Sequence, residues 1–141
     1  MKTEQDLFED FRIKNRLKRS EPRNRVIEKF LSTEKHISAL ELYNEMRRQG
    51  IVIGFSTVYR TLSLLAKSGV ARKVDLGKGE ARFEHQFGHR HHDHLFCLSC
   101  GKMIEFTSPK IERLQRQIAQ KNNFKPQAHN LVIYGLCQRC R

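Results

Sequence analysis

Ser56-Thr-Val-Tyr-Arg-Thr-Leu-Ser-Leu-Leu-Ala-Lys-Ser-Gly69 is the stretch on which the fold turns. At about 100° per residue, Val58, Leu62 and Leu65 point one way while Ser56, Arg60, Ser63 and Lys67 point the other, with Thr57 and Tyr59 at the edges. Ser56 reads as an N-cap and Gly69 as a stop, so the spacing predicts a helix with one core face and one face of hydrogen-bond donors. Upstream, Ser38 and Glu41 have the spacing of a capping box, which opens a helix that runs through a basic last turn, Arg47-Arg48, to Gly50 and buries Leu40, Tyr43 and Met46. Ser20 followed by Pro22 opens another, from about Glu21 to Ser32, with Val26, Ile27, Phe30 and Leu31 on one side. From Glu4 to Leu17 the apolar residues fit a short helix only loosely and run into the basic stretch Lys14–Arg19. Downstream, Val70–Asp75 and Ala81–His85 read as strands around Leu76-Gly-Lys-Gly79, whose glycines suit a tight turn. Three helices and a hairpin spell a winged helix-turn-helix.

The chain beyond reads differently. His92–Leu98 and Lys102–Phe106 are strand-like around a Cys-Gly turn, Ser108 caps a helix carrying Ile111, Leu114 and Ile118, and a last strand spans about Ala128–Tyr134. Gly88 lies where both periodicities break. The expected organisation is therefore α+β: a winged helix-turn-helix DNA-binding domain over residues 1–86, a hinge at 87–90, and a small α/β domain over 91–141. Fewer than sixty residues make a thin core, so the second domain should need a metal staple or a partner copy, and dimerisation through it is the natural expectation.

The whole chain has 141 residues, 27 of them Lys or Arg against 15 Asp or Glu, for a formal charge of +12. This length excludes a large multidomain enzyme, and the charge suggests a polyanionic partner. Acids are scarce after residue 86, where only Asp93, Glu105 and Glu112 remain, each near histidines in sequence or in the expected fold. No stretch approaches the ~18–20 apolar residues that span a bilayer, and the first ten residues are polar rather than a secretion signal, so a cytoplasmic location is expected.

Cys97-Leu-Ser-Cys100 and Cys137-Gln-Arg-Cys140 offer four thiolates in a reducing compartment, the ligand set of closed, structural zinc. With 36 residues between the pairs, such a site would pin the chain's end to the first strand turn. The second cluster is His89-Arg-His-His-Asp-His94. On a strand His92 and His94 share one face and His91 and Asp93 the other, so two metal sites become possible, with Glu105 available to the first and Glu112 to the second. Nitrogen and oxygen donors of this kind suit zinc, iron, manganese or nickel. No nucleophile motif or phosphate loop accompanies them, so an enzyme is not expected; a metallohydrolase would need an open metal position beside a base. For DNA, Ser56, Thr57, Tyr59 and Arg60 face the major groove and Lys18 and Arg19 the backbone or a minor groove.

Taken together, His36-Ile-Ser-Ala-Leu-Glu-Leu-Tyr43, Ser56-Thr-Val-Tyr-Arg-Thr61, His91-His-Asp-His-Leu-Phe-Cys-Leu-Ser-Cys-Gly101, Ile104-Glu-Phe106 and Ile133-Tyr-Gly135 resemble the ferric uptake regulator (Fur) family of metal-sensing repressors over residues 15–141. The resemblance implies a regulatory site of His36, Glu84, His92, His94 and Glu105, an accessory site of His91, Asp93, Glu112 and His129, and structural zinc on the four cysteines. It implies an AT-rich inverted repeat as operator and a homodimer, or a tetramer, as the assembly. The stretch from Glu84 to His92 is one residue longer than the family spacing, which makes His85 and His89 further candidates. Peroxide sensors resemble this pattern but carry Asp where this chain has Glu84 and Glu105. That difference favours an iron-responsive repressor using Fe(II), with Mn(II) or Zn(II) as substitutes, over a peroxide-responsive one, while zinc-responsive relatives, which share the cysteine pairs, are the nearest alternative.

Overall fold

The computed structural model describes residues 1–34, 36–75 and 80–141, in two compact units, Met1–Arg90 and His91–Arg141. The expected turn at Leu76–Gly79 lies outside the described residues.

In the first unit the elements are α1 (Glu4–Lys14), α2 (Glu21–Leu31), β1 (Ile37–Ser38), α3 (Ala39–Arg48), α4 (Phe55–Ser68), β2 (Ala71–Val74) and β3 (Arg82–His85). Serine caps start two of the helices: the Ser20 hydroxyl accepts from the Arg23 N–H at 3.3 Å and Ser38 from Glu41 at 3.1 Å. α1 is better specified than its loose apolar pattern suggested. Thr3 and Asp6 make a reciprocal capping box, and Phe8 is buried. α4 departs from expectation at its start: Gly54, not Ser56, is the N-cap, and no side chain caps the helix. Extended backbone at Gly54 (φ −66°, ψ 149°) lets its carbonyl take the Thr57 and Val58 N–H groups, so Ser56 sits inside the first turn with its side chain exposed. Gly69 closes α4 at φ 84°, a conformation that favours glycine.

The hairpin strands β2 and β3 pair antiparallel, and β1 adds to the outer side of β3 in the order β1-β3-β2. That third strand, two residues long, has no signal in the periodicity. The core gathers Val26, Ile27 and Phe30 of α2, Leu42 and Met46 of α3, Val58, Leu62 and Leu65 of α4, and Phe83 of β3. Burying each such side chain contributes about 1.5–3 kcal/mol. The α3 stripe is shifted: Leu42 takes the fully buried place expected of Leu40, which is exposed. The Glu41 carboxylate, 2.9 Å from Arg82, ties α3 to β3.

The second unit holds β4 (Asp93–Cys97), β5 (Met103–Phe106), α5 (Pro109–Lys121) and β6 (Val132–Gly135). The sheet order is β5-β4-β6, with β5 antiparallel and β6 parallel to β4. Ser108 caps α5 through the Ile111 N–H. Leu114 and Ile118, at the helical apolar spacing of α5, are exposed, and the unit's buried apolar residues are Cys97 and Ala119. Among the described residues no helix is long and apolar enough to cross a membrane.

Candidate metal centres and nucleic-acid interface

Strand register decides which metal-ligating side chains meet. β4 and β6 pair in parallel with His94 opposite Val132 and Cys97 opposite Gly135, a constant offset of 38 residues. The same offset carried toward the N-terminus sets His91 beside His129. Carried the other way, it brings the Cys137 pair to the Cys97 pair.

All four cysteine sulfurs lie within 4.8 Å of one another. Cys100 Sγ and Cys137 Sγ are 3.7 Å apart, and a tetrahedron with Zn–S bonds of ~2.3 Å has an edge of about 3.8 Å. The backbone N–H groups of Cys100 and Cys137 hold the Cys97 thiol down to about 6, and the Cys137 N–H lies 3.4 Å from Cys97 Sγ. At Cys140 a Ser99 hydrogen bond pulls the other way, yet the neighbouring thiols, Cys137 first, push it up to about 11. Four sulfurs this close cannot all ionise alone, whereas a divalent cation at their centre deprotonates the whole set. The donor set therefore fits closed, structural zinc.

At the start of β4, His91 Nε2 and His129 Nε2 are 2.7 Å apart, and both approach Oδ1 of buried Asp93, at 3.2 and 3.3 Å. These three make a compact metal-ligand set. Glu112, in the first turn of α5, does not join them in this structure.

The remaining candidates fall into two groups, one in each unit. In the first unit Ile37 faces Phe83 across β1 and β3, and the next pair outward is His36 and Glu84. His36 Nε2 lies 2.6 Å from Glu84 Oε2. Glu84 is buried although it is a carboxylate, a placement that requires a partner. In the second unit His94 faces Glu105 across β4 and β5. His92 shares that face, with its ring 4.9 Å from that of His94 and its Nε2 3.6 Å from Glu105 Oε1. His85 does not supplement Glu84: neighbours on a strand point to opposite faces, and His85 turns onto α1 instead.

The exposed face of α4 carries Ser56, Tyr59 and Arg60, with Thr57 half-buried behind them. The Tyr59 ring is tilted 33° to that of Phe55, and Lys73 Nζ lies over it, 5.9 Å from the ring centre. Lys73, on β2, joins this basic face although no helical period points to it, because β2 folds back against α4. Lys18 and Arg19 are exposed in the linker before α2.

Comparison with known proteins gives the same reading. The ferric uptake regulator family model matches residues 14–134. A ferric uptake regulation protein of Bordetella parapertussis is 36% identical over 126 residues, covering 89% of this chain and 90% of that protein. Among solved structures, the ferric uptake regulator of Helicobacter pylori, described as having three functional metal-binding sites, aligns with a TM-score of 0.78 at 32% identity over 99% of this chain and 94% of that one. The iron-containing ferric uptake regulator of Francisella tularensis aligns with a TM-score of 0.75 at 32% identity over 88% and 94% of the two chains. Likeness at this identity, end to end in both chains, goes beyond a shared fold: the chain belongs to the ferric uptake regulator family.

Proposed function

We propose that the protein is a cytoplasmic, iron-responsive repressor that binds operator DNA as a homodimer when Fe(II) occupies His36, Glu84, His92, His94 and Glu105. The observation that carries this reading is the division of the ligands: two on the winged unit and three on the other, on either side of Gly88. Two ligands are too few to hold an ion firmly, and three nitrogen and oxygen donors leave coordination positions open. One ion taking both groups fixes the angle between the units, and with it the spacing of two recognition helices in a dimer. Metal then acts as co-repressor through its preference for the fixed state, and ~1–3 kcal/mol of coupling gives a 5–150-fold switch in affinity. Zinc on the four cysteines serves structure. The set of His91, Asp93 and His129 is the accessory site.

In this reading α4 enters the major groove of an AT-rich inverted repeat. Its uncapped first turn and the Ser56 and Thr57 hydroxyls suit phosphate, and Arg60 reads guanine or grips the backbone. Arg60→Ala should cost about 1–3 kcal/mol of operator affinity. Titrating labelled operator with the metal-loaded variant checks this, and an unchanged affinity would remove Arg60 from the interface. The reading as a whole is tested by comparing operator binding with metal present and after chelation.

Dimerisation is supported by a row of apolar side chains across the second sheet. Leu95 pairs with Ile104 on one side and Ile133 on the other, and all three are 36–47% exposed. Packed against a symmetry-related copy, each residue counts twice. Leu95→Asp should therefore cost at least about 3 kcal/mol of association, roughly a hundredfold in dissociation constant. Sedimentation would show monomer at concentrations where the parent protein is dimeric.

A further inference from the structure

We propose that Glu4, His85 and His89 form a further divalent-metal site, one that clasps α1 onto the winged unit. His85 ends β3, and its Nε2 faces two backbone oxygens, the carbonyls of Phe30 at 3.1 Å and of Thr33. Both are acceptors, so Nε2 carries the hydrogen. The Phe30 ring stacks on the imidazole at 4.8 Å and fixes its plane. A histidine held this way, N–H to carbonyl on one side, is oriented as metal-bound histidines are, with the lone pair of the other nitrogen turned outward. Here that atom, Nδ1, lies 2.7 Å from Oε1 of Glu4. Two such atoms at that distance need either a shared proton or a metal ion between them, and the third ligand selects the metal.

His89 completes the set. The His89 N–H bonds to the Gln86 carbonyl at 3.3 Å, and Gly88 takes φ 74°, so the chain folds back and the His89 ring stands 5.2 Å from that of His85. One ligand atom from each of Glu4, His85 and His89 lies within 4.8 Å of the others, and metal–ligand bonds of ~2.0–2.2 Å would draw tetrahedral donors in to about 3.3–3.6 Å. Two imidazoles and a carboxylate without sulfur suit zinc, nickel or ferrous iron. The site is distinct from the regulatory ligands, because Glu84 faces His36 on the opposite side of β3. A bound ion would tie residue 4 to residues 85 and 89, locking α1 in place.

Zinc is the probe, on the full chain and in equilibrium dialysis against buffered Zn(II), with His89→Ala and Glu4→Gln as variants. His89 is exposed, so its truncation removes no core packing, and Gln keeps a hydrogen bond to His85 while losing the anionic ligand. Both variants should hold one equivalent of zinc fewer per chain than the parent. Trypsin gives an independent readout at Arg16, Lys18 and Arg19, between α1 and α2. At free zinc ten times the site's dissociation constant, opening of α1 and hence cleavage should slow about tenfold in the parent, with no effect of zinc in either variant. Equal zinc content in all three proteins, with cleavage indifferent to zinc, would overturn the proposal and leave a plain hydrogen bond between His85 and Glu4.

Discussion

Replacing His92 with alanine is expected to abolish the response of operator binding to ferrous iron while leaving a folded, zinc-loaded dimer. The His92 side chain is about one-fifth exposed and stands on the same face of β4 as His94, with Glu105 on the neighbouring strand. It contributes to no hydrophobic cluster, so its truncation should cost little stability. Even outer-shell partners of metal ligands are worth 10–100-fold in metal affinity, and a direct ligand should be worth more. At an iron concentration that saturates the parent protein, the variant would stay in its metal-free state. Its operator affinity should then fall by the full coupling factor, 5–150-fold for ~1–3 kcal/mol. Anaerobic titration of labelled operator with and without Fe(II) reads this difference. A variant that still tightened on DNA with iron would exclude His92 from the regulatory site.

Cys97→Ser should have the larger effect on stability. Structural zinc supplies apparent binding energies of ~10–16 kcal/mol in small zinc-dependent peptides, and the second unit has little else to hold it. Its buried apolar side chains are Cys97 and Ala119, and α5 leaves Leu114 and Ile118 exposed. The cysteines also fasten β6 to β4, the pairing that aligns His129 with His91. Loss of one sulfur should therefore release zinc, lower the thermal midpoint and dissociate the dimer. Metal analysis, a melting curve and sedimentation check the three effects. A Cys97→Ser protein that remained dimeric with an unchanged melting curve would refute the structural-zinc assignment.

Much of this was legible before the fold was known, and the residues show why. Ser20, Ser38 and Ser108 announce helix starts through local chemistry, a hydroxyl beside an N–H three residues on, and each is a cap in the structure. Ser56 misleads because the helix begins two residues earlier, at Gly54, whose carbonyl takes the Thr57 and Val58 N–H groups. β1 is illegible for a different reason: two residues carry no period, and Ser38 serves both strand and cap. Yet β1 is what sets His36 opposite Glu84, so this pairing came from family resemblance and not from pattern. Alternation along β4 does separate His92 and His94 from His91 and Asp93. What alternation cannot supply is the 38-residue offset between β4 and β6 on which the cysteine and His91–His129 groupings rest. Exposure of Leu114 and Ile118 is equally hidden, since helical spacing marks an apolar face without saying whether the covering partner lies in the same chain.

The most direct test of the central claim is fluorescence anisotropy of operator DNA, performed anaerobically on zinc-replete protein while Fe(II), Mn(II) and additional Zn(II) are titrated separately. The account predicts that Fe(II), or Mn(II) in its place, tightens binding, and that this response is lost in His92→Ala and Glu105→Ala. Binding indifferent to iron and manganese, and responsive only to very low buffered zinc, would contradict it and assign the protein to zinc sensing.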